Sequence, residues 1–367
     1  MHNRIEGDFI LLYGTELEVC VRPKPSLQVG HWDDVAQNLS ASLEQNGIHN
    51  EVLIDSKESD YQKWIIASDG SIERGKSANK WGLELVSSIC LPREWWSRTC
   101  SVVWGALTSK FDVLESPSCG THVHVSMYRG SGWEGAFGKL QRIAKAVVYF
   151  ERCIDSLMPD HRLRNVFCKS NRYNSTLRSS SVPTILKMID GIQEGPEYPG
   201  GPDGREKLVD LLCPSGDSVK RYYRWNFTPL LRPDRKTRTI EFRQPPGSTT
   251  ALETAFWCQF TIYFVYGAVI SLDTFDLGDT ATLGQLRDMV LRGEELGAGW
   301  GYNAHNLERG FEGKTQRAEG PYEEPSPNSE DRIRMDAKER VENLKFDRVS
   351  AAAELPFEDY FSDEENA

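Results

Sequence analysis

The chain has 367 residues, 39% of them hydrophobic and 10% aromatic, enough for a sizeable buried core in one or two domains. Its formal net charge is −11, and residues 303–367 carry 17 acidic against 9 basic side chains, which leaves the body near −3. No basic field exists to attract nucleic acid or an anionic membrane surface, so both classes of partner are excluded.

The elements follow in chain order. Residues 8–22 alternate as a strand does. Trp32, Val35, Leu39 and Leu43 are spaced for one face of a helix that Gly47 ends. Strands are expected at 50–54, 62–68 and 81–90, then a Trp-rich helix over 92–109 with Pro92 at its start. Residues 120–127 alternate strictly. A helix over about 136–157 carries Leu140, Ile143, Ala144, Val147, Val148 and Phe150 on one side. Shorter helices at 182–193 and 204–212 flank the loop EGPEYPGGPDG. Strands return at 218–228 and 237–243, and helices at 250–272 and 282–296 close the body.

These elements predict an α+β layer architecture over residues 8–300. Residues 303–367 are rich in Pro, Gly, Ser and acids and read as a largely disordered acidic tail. Within it Ile333, Ala337, Val341 and Leu344 mark a helix over 330–348. Thr254–Leu272 runs 19 residues without a charge, but it is aromatic-heavy and holds Gln259, so it reads as a buried core helix rather than a membrane span. The eight cysteines show no CxxC spacing, and the short run FILLY is no secretory leader. Both observations predict reduced thiols in a cytoplasmic protein.

Residues two apart in a strand share a face. In GTELEVCV, Glu16 and Glu18 oppose Leu17, Val19 and Val21. In CGTHVHVS, His122 and His124 oppose Val123 and Val125. In RTIEFRQ, Glu241 and Arg243 oppose Ile240 and Phe242, and in WGLELVSS, Glu84 lies between Leu83 and Leu85. A merely wet face would carry Lys, Thr, Ser and Gln. Clustered carboxylates repel unless cations neutralise them. Hard oxygen donors with an imidazole suit Mg²⁺ or Mn²⁺ better than zinc. Asp69, in WIIASDGSI, fits either an Asp-Gly turn or a ligand beside Glu84.

Arginine suits bidentate binding of carboxylate or phosphate. Arg224 and Asn226 share a face in RYYRWNFTPLL and Arg221 does not; Arg243 is the stronger choice because it shares a face with Glu241. The chain has no P-loop, GxGxxG or GxSxG motif, so a nucleotide would be handled through metals and arginines.

The motifs GTELE, ASDGS, GLELVSS, CGTHVHVS, YRWNF and TIEFRQPPGS, in this order, resemble the amidoligase family within the glutamine synthetase and glutamate–cysteine ligase superfamily, over roughly residues 8–272. The nearest resemblance is to the stand-alone fungal type. It implies a curved antiparallel sheet whose concave face holds ATP and two or three Mg²⁺ or Mn²⁺ ions, with helices behind. Glu18, Asp69 and Glu84 would hold one cation, and Glu16, His122 and Glu241 the other. His124 would line the nucleotide site. Arg243 would bind the substrate carboxylate or stabilise the transferring phosphoryl group, with Glu241 and Asn226 beside it.

Two departures stand out. The first motif begins at Gly14, so no β-grasp domain of the glutamine synthetase kind is expected ahead of it. Thr239 occupies the position where glutamine synthetases place a phosphate-binding arginine, which leaves Arg238, Arg221 or Arg224 for that contact. The implied reaction is ATP-dependent amide formation through an acyl phosphate, between a glutamate-like carboxylate and a small amine or amino acid. Alternatives are a guanidino-kinase-like phosphotransferase, a degenerate non-catalytic binding protein and a metallohydrolase. The oligomeric state is left open.

Overall fold

The alternation near the N-terminus builds β1 (Leu11–Pro23), the longest strand among the described residues, whose inward residues Leu17, Val19 and Val21 are buried. The computed structural model describes residues 10–53, 61–72, 79–90, 99–127, 133, 135–163, 165, 167–199, 201–214, 221–232, 238–297, 307 and 311. After β1 come α1 (Trp32–Gln45), β2 (Asn50–Leu53), β3 (Trp64–Ala67), β4 (Trp81–Val86), α2 (Cys100–Lys110), β5 (Phe111–Leu114) and β6 (Thr121–Met127). The second half holds α3 (Phe137–Asp155), α4 (Asp160–Leu163), α5 (Val182–Asp190), α6 (Gly204–Leu212), β7 (Trp225–Asn226), β8 (Ile240–Phe242), α7 (Ala251–Ser271) and α8 (Leu283–Gly297).

The architecture is α+β, with one eight-stranded sheet in the order β2-β3-β4-β1-β6-β8-β7 and β5 paired to the C-terminal end of β1. All pairings are antiparallel except β2 with β3, so the sheet is mixed rather than purely antiparallel. Of the expected strand over 218–228, residues 218–220 lie outside the described residues, and the rest forms strand only at Trp225–Asn226. Asn226 accepts the Thr228 N–H at 3.0 Å, and a 3₁₀ turn over Thr228–Leu231 with Pro229 ends the ladder. β5 carries no alternation signal of its own, because FDVL follows directly on a helix and is only four residues long.

The apolar face of the sheet forms the core with the helices. Leu83, Leu85, Val123, Val125, Ile240 and Phe242 are all 0% exposed. Trp225 stacks on Phe242 (ring centroids 4.3 Å) and on Phe264 of α7 (4.8 Å). Each such side chain stabilises the fold by about 1.5–3 kcal/mol through burial. α7 is capped by the Thr250 hydroxyl, which accepts the Glu253 N–H at 3.2 Å. It is long and apolar enough to cross a membrane, yet 83% of that stretch is buried inside the fold. It packs on α3, α8 and β6. The α7–α8 crossing is close enough that a Cβ on Gly267 would lie 2.3 Å from the Met289 carbonyl oxygen, and one on Gly293 2.4 Å from that of Tyr263.

All eight cysteines are free and buried. Burial pushes the thiols of Cys100, Cys119 and Cys153 up to about 12. Leu307 and Phe311 are also buried, and Phe311 packs on Phe260 (6.3 Å), so packing extends past residue 303. The helix start at Pro92 and the helix expected over 330–348 lie outside the described residues.

Candidate active site

Strand register converts the alternation into a constellation. β1 lies between β4 and β6, and its pairing sets Glu18 opposite Glu84 and Glu16 opposite His122. On the next strands His124 stands opposite Glu241, and Glu241 opposite Asn226. Neighbouring strands are roughly 4.8 Å apart, so residues facing one way along this row meet one another.

Two ligand groups result. In one, donor atoms of Glu16, His124 and Glu241 all lie within 4.8 Å of one another; in the other, those of Glu18, Asp69 and Glu84 do. The second group is the set expected from the sequence. The first has His124 where His122 was expected. His122 sits between the groups: its Nδ1 is 3.1 Å from Glu16 and 3.8 Å from Glu241, and its Nε2 is 3.6 Å from Glu18. His124 Nε2 is 3.0 Å from Glu16, and its Nδ1 shares a 3.0 Å hydrogen bond with the Thr239 hydroxyl. Thr239 therefore orients an imidazole at the position where an arginine was sought. Asp69 combines its two suggested roles: its Oδ1 accepts the Ser71 N–H at 2.6 Å, as in an Asp turn, and it still belongs to the second group.

Electrostatics separate the groups. Burial opposes the charge of Glu16, but His124 beside it, with hydrogen bonds from His122 and His124, holds its carboxyl well below the usual range. Burial likewise opposes the charge of Glu241, while Arg243 and His124 hold its carboxyl low. The imidazole of His124 is raised despite burial by Glu16 and Glu241. In the second group the direction reverses. Burial raises Glu18, and burial together with Glu16, Asp69 and Glu18 pushes Glu84 up to about 9. Three crowded carboxylates, one with so strong a preference for a proton, form a donor set that fits a hard divalent cation.

The arginines divide in the same way. Arg243 is paired with Glu241 through Nη1, and its Nε donates to the Phe167 carbonyl at 3.3 Å. Asn226 donates to the other oxygen of Glu241 at 2.7 Å. Arg221 lies on the cavity wall, its guanidinium 4.9 Å over the Tyr222 ring. Arg224 does not reach the cavity: it is 4% exposed and paired with Glu151 at 3.0 Å and Asp155 at 3.0 Å. It lies one residue before β7, outside the strand, so it does not share the cavity-facing side of Asn226 and turns instead to the acids of α3. Arg238 donates to the Arg232 carbonyl at 2.7 Å and lines neither of the two cavities at the site.

A cavity of about 440 Å³ contains both ligand groups, Arg221 and Arg243. Ser118, Phe167, Tyr222, Arg162 and Arg232 also line it, none of which the alternation pattern indicates. A smaller cleft of about 100 Å³ adjoins it across Glu16, His124 and Arg232, with Tyr61, Val86 and Ile89 as its less polar walls. Gly120 has no room for a side chain: a Cβ there would stand 2.8 Å from His122 Nε2, 3.0 Å from Arg162 Nη2 and 3.2 Å from Glu18 Oε2. Its N–H donates to Glu18 at 2.6 Å.

Comparison with protein families finds a match over residues 11–265 to the family described as "Putative amidoligase enzyme". Among curated proteins no match is found.

Proposed function

Because the chain belongs to the amidoligase family, whose reaction is amide-bond formation, we propose that it is an ATP-dependent carboxylate–amine ligase working in the 440 Å³ cavity. The observation that carries this reading is the pair of carboxylate-rich groups on one polar sheet face, with Arg243 beside them. Glu16, Glu241 and the two imidazoles would hold one divalent cation, Mg²⁺ or Mn²⁺, and Glu18, Asp69 and Glu84 another. Such cations, when bound, offset the dense negative charge of a transferring phosphoryl group.

The chain's own residues supply position and charge. Arg221 and Arg232, on the wall, suit the phosphates of the nucleotide, and the less polar cleft beside Glu16 suits its base. Arg243, held by Glu241 and the Phe167 carbonyl, presents the rest of its guanidinium to the carboxylate substrate. That carboxylate oxygen attacks the γ-phosphorus, the bond to ADP breaks, and an acyl phosphate forms. The amine then attacks the acyl carbon, inorganic phosphate leaves with its oxygen, and the amine releases a proton. Asn226 and Thr239 keep Glu241 and His124 in fixed orientations throughout. A glutamate-like amino acid as the acid and a small amine or amino acid as the nucleophile complete the proposal.

The test is product analysis. The protein is incubated with ATP, Mg²⁺ and pooled amino acids and amines. The expected result is equal release of ADP and phosphate, with a product whose mass is acid plus amine less water. A stable product heavier by one phosphoryl group, with no free phosphate, would instead assign a phosphotransferase. No ADP with any acid–amine pair would overturn the ligase reading.

A further inference from the structure

Arg162, on the short helix α4, lines the cavity but commits its guanidinium to backbone. It is 2% exposed. Nε donates to the Gln244 carbonyl at 2.9 Å, Nη2 to that of Arg243 at 2.7 Å and Nη1 to that of Cys119 at 3.4 Å. The first two carbonyls lie just past the end of β8, the third two residues before β6. The helix beneath is itself anchored, because buried Arg224 donates to the Leu163 carbonyl at 2.8 Å and pairs with Glu151 and Asp155 of α3.

The Cys119 carbonyl belongs to the peptide group whose N–H, on Gly120, donates to Glu18 at 2.6 Å. One rigid peptide plane therefore has Arg162 on its oxygen side and Glu18 on its nitrogen side. The Gly247 N–H supports the same oxygen at 2.9 Å, so the plane is fixed from two directions. Through Nη2 the same guanidinium holds the carbonyl of Arg243, the residue that pairs with Glu241, and through Nε it holds that of the next residue, Gln244. The missing side chain of Gly120 lets Arg162 Nη2 and Glu18 Oε2 both approach that position closely.

We propose that Arg162 is a positioning residue: it fixes Glu18, through the Cys119–Gly120 peptide, relative to Arg243, and so holds the Glu18–Asp69–Glu84 group in shape for its cation. The inference rests on reading that group as a cation site. A lysine keeps the charge but cannot reach three carbonyls from one planar fork. The role is therefore separable from a general electrostatic one.

The experiment is a Mn²⁺ titration of the full chain, followed by the paramagnetic resonance signal of free Mn²⁺, with thermal melts in chelator alongside. The wild type is expected to bind two ions. Arg162→Lys should keep the ion at Glu16–His124–Glu241 and weaken the other by about tenfold or more, in the range typical of groups that orient ligands. Arg162→Ala should do the same, and low-millimolar guanidinium, filling the vacated space, should restore the second ion. Both variants binding two ions as the wild type does would overturn the inference. So would parallel loss of both ions with loss of a cooperative melt, which marks a general structural role. A wild type that binds no Mn²⁺ would instead refute the cation-site reading, and this inference with it.

Discussion

Glu16 and Glu18 leave β1 on the same face, two residues apart, yet they enter different ligand groups because His122 stands between them. Its Nδ1 faces Glu16 at 3.1 Å and Glu241 at 3.8 Å, and its Nε2 faces Glu18 at 3.6 Å. The imidazole acts as a partition: it keeps two acidic groups from merging into one and leaves each open toward the cavity.

Single substitutions should therefore separate the two groups. Glu16→Gln is expected to lose one Mn²⁺ and Glu18→Gln the other, as read by titration. Either change should lower ATP turnover by about 100-fold or more, because it removes a direct ligand of an ion that offsets phosphoryl charge. Stability should move the opposite way for Glu18. Its carboxyl is raised by burial, so neutralising it should leave the melting temperature in chelator unchanged or higher. Loss of both ions from either variant would show that the groups are one site.

Gly120→Ala tests the crowding at the same place. The new methyl group would meet His122, Arg162 and Glu18 within 2.8–3.2 Å, all of them held by other bonds. Overpacking of this kind costs about 1–3 kcal/mol. The expected outcome is a folded protein, destabilised by about that amount in urea, with the Glu18 ion weakened more than the Glu16 ion. Unchanged binding of both ions would mean that the neighbours yield freely.

Much of this was legible from alternation. β1, β4 and β6 each sort acids or imidazoles from aliphatics, and the faces so assigned are the faces observed. Register was not legible. The β1–β6 register sets Glu16 opposite His122, while the β6–β8 register sets His124 opposite Glu241, and the second pairing brings His124 into the first group. Arg162 and Arg232 come from segments without periodicity, so no pattern marked them. Arg224 does not share the face of Asn226 because the strand begins only at Trp225, so strand phase does not reach back to it. A signal did exist in α3, where Glu151 and Asp155 are spaced four apart inside the buried run VVYFERCID and require cations.

Metal-free stability should depend on pH through Glu84. In the unfolded chain its carboxyl titrates near the ordinary 4.5, and in the fold it is pushed up to about 9, so between those values the folded state holds a proton that the unfolded state does not. The contribution is fully present below 4.5 and is lost as pH rises toward 9. Melting temperature in chelator should thus fall across this window for the wild type. The slope should be shallower in Glu84→Gln. Added Mg²⁺ should take the place of the proton and raise the melting temperature most at the alkaline end. A wild-type slope in chelator equal to that of Glu84→Gln would remove Glu84 as the titrating group.

Arg224 and Arg221 lie three residues apart and should fail differently. Removing Arg224 leaves Glu151 and Asp155 buried without their shared partner at 3.0 Å. Breaking a buried pair in this way costs roughly 3–5 kcal/mol. Arg224→Ala should therefore show a large loss in urea stability, while the fraction still folded keeps its KM for ATP. Arg221 is exposed at the cavity wall, where it leans on Tyr222. Arg221→Ala should change stability by no more than about 0.5 kcal/mol. Its effect should appear as a raised KM for ATP, in line with its assignment to the nucleotide phosphates. If instead Arg224→Ala raised the KM for ATP without destabilising the fold, the buried network would have to open during the reaction, and Arg224 would return to the nucleotide.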